Sequence, residues 1–79
     1  MSPTIYRQGE FRFFFFSREE PRKHVHVHCT DGEAKYWLEP EISLARNFGL
    51  SPQQLAKIDA IVREHENEFV SAWDQHFGS

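Results

Sequence analysis

The sequence has almost none of the cross-linking chemistry that stabilises many very small proteins. Its one cysteine, Cys29, cannot form an internal disulfide, and no Cys-x-x-Cys or Cys/His zinc spacing occurs in the 79 residues. This cysteine usage favours a reducing compartment. A single domain over residues 1–79 buries only about 60–65% of its unfolded surface, so we expect a partner chain to supplement the core.

Long apolar segments are also lacking. The longest uninterrupted apolar run is the four phenylalanines of residues 13–16, far too short for a membrane span. The N-terminal stretch MSPTIYRQGE has neither the basic region nor the apolar region of a signal peptide. We therefore expect a soluble, cytoplasmic protein with no membrane partner.

The chain has no excess of positive charge. Its net charge is −3, whereas a non-specific nucleic-acid binder usually carries a basic stripe. The charge is unevenly distributed, because residues 1–35 hold six basic and five acidic side chains and residues 36–79 hold three basic and seven acidic ones. If the protein binds a nucleic acid, we expect the first half to bind it.

Two segments in that half have the composition of β-strands. Residues Phe11–Ser17 are rich in aromatic side chains and lie between Gly9 and a Glu-Glu-Pro corner, which predicts a strand with apolar side chains on both faces. The segment HVHVHCTDGEAKYWL, residues 24–38, alternates on both sides of Asp-Gly and predicts a hairpin with a type I′ turn.

The Asp31-Gly32 turn would fix the register of this hairpin. It pairs Cys29 with Ala34 and places His26 opposite Trp37. One face of the hairpin then holds the apolar side chains and the other holds the polar and histidine side chains. The apolar set is Val25, Val27, Cys29, Ala34, Tyr36 and Leu38, and the second set is His24, His26, His28, Glu33, Lys35 and Trp37.

The second half of the chain predicts an edge strand and a helix. The segment after Pro40 predicts either an edge strand, kinked at the proline, or a short helical connection, and we favour a strand through Leu44. The S-P-Q-Q motif at Ser51 is a capping box. Apolar residues then recur at helical spacing as far as Phe77. A straight helix of this length would measure about 39 Å, so its second half must bend, break near Glu66-Asn67 or pack against another chain.

These elements predict an α+β domain. The expected architecture is a three- to four-stranded antiparallel sheet, in which the hairpin of residues 24–38 pairs with the strand of residues 11–17. This sheet would pack against one long C-terminal helix.

Five motifs in order, RFFFFSREEP, HVHV, GEAKYWLEP, GLS and AWDQHF, resemble a small prokaryotic family catalogued as domain of unknown function 4160. The resemblance runs from Pro3 to Gly78. It implies a stand-alone protein whose gene is thought to lie often beside a second family, in pairs suggestive of toxin–antitoxin modules. Some members of that second family carry a DNA-binding helix-turn-helix, which would make this chain the toxin. No activity comes with the resemblance, and its pattern contains His24 and His26 but commonly has Arg at the position of His28.

The three alternating histidines allow three interpretations, and one is a metal site. Two imidazoles of an HxH strand point the same way, as in catalytic zinc sites. His24 and His28 would lie about 13 Å apart, so three histidines cannot bind one ion. A pair would need a third ligand, for which the candidates are Glu20, Glu39, His65 and His76. We predict no cofactor and assign no metal ligands.

The second interpretation is metal-independent cleavage of RNA, which requires a base, an acid and a cation beside the phosphate. The predicted catalytic residues of such a ribonuclease are His24, His26 and Lys35. Trp37 could stack an unpaired base, with Phe14 or Phe16 as further candidates. The predicted binding residues are Arg18, Arg22, Lys23, His28 and Trp37.

The third interpretation is a non-catalytic hairpin face that contacts solvent or a partner protein. An exposed Trp37 beside histidines would form an apolar patch of the kind that marks an interface. The partner would be a cognate antitoxin-like small protein or a second copy of the chain. The sequence leaves a toxin component, an HxH metal-binding domain and a structural oligomer as open hypotheses.

Overall fold

The structure is a computed structural model that describes residues 4–16 and 21–78, and this part of the chain forms five β-strands followed by two α-helices. All five strands belong to one antiparallel sheet, in which each strand pairs with its neighbour in the sequence. The α+β class is confirmed. The elements are β1 (Thr4–Gln8), β2 (Phe11–Phe14), β3 (His24–Cys29), β4 (Gly32–Trp37), β5 (Ser43–Phe48), α1 (Pro52–Glu64) and α2 (Glu66–Phe77).

The predicted sheet of three to four strands is wrong, because the sheet has five strands. One edge has a strand that was not predicted, and the strand at the other edge extends beyond its predicted end. At the N-terminus, β1 pairs with β2 through a two-residue connection in which Gly9 has a φ of 58°. A Gly-X pair between two segments of β-forming residues is a recognised hairpin signal that the prediction did not use. At the other edge, the strand predicted through Leu44 begins at Ser43 and continues to Phe48.

The predicted hairpin register is wrong by two residues. Cys29 pairs with Gly32 rather than with Ala34, so the connection is Thr30-Asp31, and no non-glycine residue in the described segments has positive φ. Gly32 is not part of a type I′ turn. The lack of a side chain there allows β5 to pack closely, because a Cβ would lie 1.9 Å from the carbonyl oxygen of Phe48. A shift of two residues leaves every side chain on its predicted face.

The single long helix is also wrong. The capping box at Ser51 is present, since its hydroxyl accepts from the Gln54 backbone and the Gln54 side chain accepts from the Ser51 backbone. However, α1 ends at Glu64 and α2 begins at Glu66, with His65 between them. The longest dimension of the molecule is 33 Å, shorter than the roughly 39 Å of a straight helix over both segments.

Both helices pack on one face of the sheet, called here the inner face. The Tyr36 hydroxyl donates to the Leu55 carbonyl of α1, and the Phe69 ring of α2 lies 5.4 Å from the Phe13 ring. The apolar side of the hairpin is buried here as predicted. The buried core includes Phe11, Phe13, Phe15, Val25, Val27, Cys29, Ala34, Tyr36, Leu38, Ile58, Ile61, Val62, Phe69 and Trp73.

Neither helix in residues 4–16 and 21–78 combines the length and the apolar content that crossing a membrane requires.

Candidate functional site on the outer sheet face

The candidate site lies on the outer face of the sheet, the face opposite the two helices. Cross-strand pairing and the alternation of side chains place every charged residue of the five strands on this face. Four of these charged residues are basic and one is acidic. They are Arg7, Arg12, Lys35, Arg46 and Glu33. The strands therefore carry a basic surface that the acidic net charge of the chain conceals.

The residues of this face form two transverse rows across the sheet. The first row contains one aromatic ring, one histidine and two cations from β2, β3, β4 and β5. In spatial order these are Phe14, His26, Lys35 and Arg46, each paired with the next. Directly opposed residues have Cβ atoms about 4.5–5.5 Å apart, so the His26 and Lys35 side chains are neighbours on this face.

The second row lies one pleat repeat away and adds the acidic residue. Arg12, His28, Glu33 and Phe48 are paired in that order, and Arg7 of β1 extends the row. His28 is exposed, and it lies two residues from His26 on the same strand face. The two imidazoles are therefore separated by about 6.6 Å along the strand.

Two aromatic rings on this face are accessible. Phe16 is 43% exposed and Phe48 is 59% exposed, whereas Phe14 is buried beneath the Arg12 guanidinium and beside the His26 ring. A groove of about 200 Å³ runs between the accessible rings. Its lining consists of Phe14, Phe16, His26, Val27, Glu33, Ala34, Lys35, Arg46 and Phe48.

The structure places the predicted catalytic residues unequally. His26 and Lys35 are opposite each other and line the groove. His24 is 0% exposed, its Nδ1 lies 2.7 Å from the Arg22 carbonyl oxygen, and its ring lies 5.0 Å from that of Trp73 in α2. His24 is thus enclosed by the Trp73 ring of α2 together with the His26 and Trp37 rings, 5.0 and 5.5 Å away, and cannot touch a ligand in this conformation.

The predicted binding residues occupy different parts of the structure, and not all of them face the groove. Lys23 forms an ion pair of 2.7 Å with Asp74 of α2, and this hydrogen bond to the carboxylate raises the pKa of the lysine. The half-buried Trp37 ring has the Arg22 guanidinium 4.1 Å from its centroid and the Lys35 ammonium 4.4 Å from it. These two cations occupy positions where a base would stack. Arg18 and the candidate metal ligand Glu20 lie outside the described residues.

Sequence reasoning missed five residues of this face as site residues, namely Arg7, Arg12, Glu33, Arg46 and Phe48. The signal for Arg46 and Phe48 is that no glycine or proline lies between Pro40 and Gly49, so nothing in the sequence requires the strand to stop at Leu44. Alternation along Phe11–Ser17 places Arg12 on the face opposite Phe11 and Phe13, but no local pattern shows that Arg12 lies in one row with residues of β4 and β5. That proximity depends on sheet order, which the sequence pattern of one strand does not encode.

The helices have the opposite electrostatic character. Between Pro52 and Phe77 there are two basic and five acidic residues, so the molecule has a basic sheet face and an acidic helix layer. Across residues 4–16 and 21–78, no group of three or more His, Cys, Asp and Glu side chains is arranged to hold a metal ion.

Comparison with curated proteins and with solved structures gave no match. The model of a family described as domain of unknown function (DUF4160) matches residues 10–74. That match extends from the turn before β2 into α2, and it includes both transverse rows of the outer face except Arg7. The chain belongs to this DUF4160 family.

Proposed function

We propose that this protein is the toxin-side component of a toxin–antitoxin pair and that it binds and cleaves single-stranded RNA on its outer sheet face. The observation that carries the RNA proposal is the collection of four strand cations on one face with two accessible phenylalanine rings. The toxin role is supported by the resemblance to a family whose genes are thought to be paired in this way.

The binding mode follows from the chemistry of the two rows. Phosphate groups are attracted to the Lys35 and Arg46 cations of the first row, and unpaired bases stack on aromatic rings such as Phe16 and Phe48. The acidic helices repel a polyanion, so the protein's own field orients RNA toward the sheet. An open antiparallel sheet leaves these side chains accessible while the inner face holds the core.

The proposed cleavage uses His26, His28 and Lys35. His26 accepts the proton of the 2′-hydroxyl, whose oxygen attacks the neighbouring phosphorus and forms the new P–O bond. His28 donates a proton to the 5′-oxygen as its bond to phosphorus breaks, and Lys35 stabilises the charge on the non-bridging oxygens. The products are a 2′,3′-cyclic phosphate and a free 5′-hydroxyl. His28 replaces the buried His24 in this scheme.

Cleavage of a 5′-labelled single-stranded RNA in the presence of EDTA tests the catalytic assignment. We expect cleavage to persist in EDTA and to fall at least about 100-fold in His26→Ala and in His28→Ala, the usual effect of losing a general acid or base. The matched control is His76→Ala, because His76 is an exposed histidine of α2 away from this face. Full cleavage activity of folded His26→Ala would contradict the mechanism. Loss of wild-type cleavage in EDTA would contradict it too.

A second substrate separates binding from chemistry. RNA with a single 2′-deoxy residue cannot form the cyclic phosphate, so we expect it to bind with unchanged affinity and to resist cleavage at that position. Cleavage at the 2′-deoxy position would exclude attack by the 2′-hydroxyl.

The toxin assignment is tested in cells by expressing the chain alone and together with the product of the adjacent gene. We expect growth inhibition by the chain alone, relief by the partner, and loss of inhibition in Lys35→Gln. An acidic antitoxin-like protein would relieve inhibition by covering the basic sheet face. Normal growth of cells that contain folded, abundant wild-type protein would contradict the toxin role.

Self-association through β5 is a second candidate function. β5 lies at one edge of the sheet and is exposed along most of its length, and its Leu44 side chain is 46% exposed. Exposed edge strands are templates for pairing with another chain. Light scattering should then show a dimer at tens of micromolar that Leu44→Lys dissociates, and a monomeric wild-type protein would rule out this candidate.

A further inference from the structure

Glu33 is the one acidic side chain in the five described strands, and general attraction of RNA does not explain it. A carboxylate within a basic surface repels phosphate, so its presence there opposes sequence-independent binding. Glu33 is exposed, and it lies directly opposite Phe48 on the neighbouring strand β5. Both side chains line the groove of the outer face.

We infer that Glu33 and Phe48 form a base-recognition site that prefers guanine, an inference that rests on the proposed binding of single-stranded RNA. A base that stacks on the Phe48 ring lies parallel to it, so the hydrogen-bonding edge of the base points sideways, past the rim of the ring. A carboxylate has no donor and can accept two parallel hydrogen bonds. The acceptor that such a base meets is the Glu33 carboxylate on the adjacent strand.

The four bases differ in what they offer to a carboxylate. Guanine presents two adjacent donors, the N1–H and the N2 amino group, which match both oxygens of Glu33. Cytosine and adenine present one amino donor beside an acceptor nitrogen. Uracil presents one imino donor between two carbonyl oxygens, and those oxygens repel a carboxylate. Guanine is the base that satisfies Glu33 most fully.

The surroundings of the pair are suited to a nucleotide rather than to a free base. The Arg46 guanidinium lies 5.8 Å from the centroid of the Phe48 ring, and Arg46 is paired with Lys35 in the first row. These two cations can hold the phosphate of a nucleotide whose base stacks on Phe48. His28, the other cross-strand neighbour of Glu33, belongs to the proposed acid–base pair, so recognition would occur beside the position of cleavage.

The test uses the His26→Ala protein, because this substitution prevents cleavage, and it compares the affinity of this protein for four RNA octamers. One octamer is all uridine, and the others carry a single guanosine, cytidine or adenosine at the fourth position, which avoids guanine-rich self-association. We expect the guanosine octamer to bind about tenfold more tightly than the all-uridine octamer, within the range of one good bidentate contact. Adding Glu33→Gln should reduce this preference to less than about threefold.

Phe48→Ala in the same background is the matched variant for stacking, and it should weaken binding to all four octamers. Equal affinity of the four octamers, or a guanine preference that survives Glu33→Gln, would overturn the guanine site while leaving RNA binding intact. Failure of the folded protein to bind any octamer would overturn both this inference and the proposed function.

Discussion

Gly32 shows how one residue connects the hairpin to the edge of the sheet. Its backbone approaches β5 so closely that a methyl group would collide with the carbonyl oxygen of Phe48. We expect Gly32→Ala to lower the free energy of unfolding by about 2–3 kcal/mol, the upper part of the range for overpacked sites. Urea unfolding followed by tryptophan fluorescence measures the change.

Gly9→Ala is the control for this variant, because Gly9 has positive φ but no atom within 4 Å of the added Cβ position. Its cost should be limited to the backbone conformation, about 1–2 kcal/mol. Hydrogen exchange should also show faster amide exchange of β5 in Gly32→Ala alone. Equal exchange of β5 in the two variants would contradict the close-approach explanation.

Tyr36 provides a pH dependence that can be measured. Burial raises the pKa of the Tyr36 phenol above 10.0, and the Asp59 carboxylate acts in the same direction. The folded state therefore retains a proton that the unfolded state releases above about pH 10, so the free energy of unfolding should fall as the pH rises past 10. Unfolding midpoints in urea at pH 7, 9 and 11 test this expectation.

Tyr36→Phe removes the titrating hydroxyl and keeps the buried ring, so it separates the effect of ionisation on stability from the effect of packing. Loss of the 3.2 Å hydrogen bond to the Leu55 carbonyl should cost about 0.5–1.5 kcal/mol at pH 7. Because phenylalanine does not titrate, the alkaline decrease in stability should be smaller in the variant. An identical decrease in both proteins would show that other groups, including the Lys23 and Asp74 pair, account for it.

Among elements, the start of α1 has the clearest stabilising contact. Ser51 caps the helix, and Gln54 of the same capping box also donates to the Asp31 carboxylate at 2.8 Å. We expect Ser51→Ala to lower the free energy of unfolding by about 1 kcal/mol, whereas Ser51→Asn should preserve most of it. Thermal unfolding by circular dichroism compares the three proteins, and equal melting temperatures would argue against the cap.

The elements that could be predicted from the sequence are those whose signals are local. The Ser51 cap and the two faces of the hairpin follow from spacing alone. Spacing did not show which side of the Phe11–Ser17 strand the helices cover, because both of its faces are apolar. The turn position did not follow, because Gly32 satisfies a contact with β5 that is distant in the sequence. Of the three alternatives for the helix, a break is the one that occurs, at His65 rather than near Glu66-Asn67, and spacing did not select it because the apolar pattern continues through His65.

His65, the residue at that break, packs against β1. The His65 ring lies 4.4 Å from the Tyr6 ring, and its Nδ1 is 2.8 Å from the Glu68 carboxylate oxygen. Tyr6 belongs to β1, a strand that the sequence analysis did not identify. The residue at the helix break therefore contacts a strand that the sequence pattern did not reveal.

At the scale of the whole molecule, the division of charge between the two layers predicts how RNA binding depends on salt. Single-stranded nucleic acids give a slope of about −0.7 per phosphate neutralised, so four cations predict a slope near −3 in a plot of log affinity against log salt. Arg46→Gln should reduce the magnitude of this slope by about 0.7. Fluorescence anisotropy at several salt concentrations measures both slopes.

Lys57→Gln is the matched control, because Lys57 is an exposed cation on α1 in the acidic layer. It should leave the slope unchanged. An equal effect of the two substitutions would mean that RNA does not select the sheet face. The candidate site itself was partly predictable, since His26, His28 and Lys35 follow from the hairpin, whereas Arg46 and Phe48 require the complete strand order.

That strand order also determines how the binding face is assembled. Each strand pairs only with its neighbour in the sequence, so the sheet grows by closing short loops, and low contact order of this kind favours rapid folding. During synthesis, β1 to β4 can pair before β5 leaves the ribosome. Arg46 and Phe48 then arrive last, and the groove becomes complete in a single final pairing step with β4.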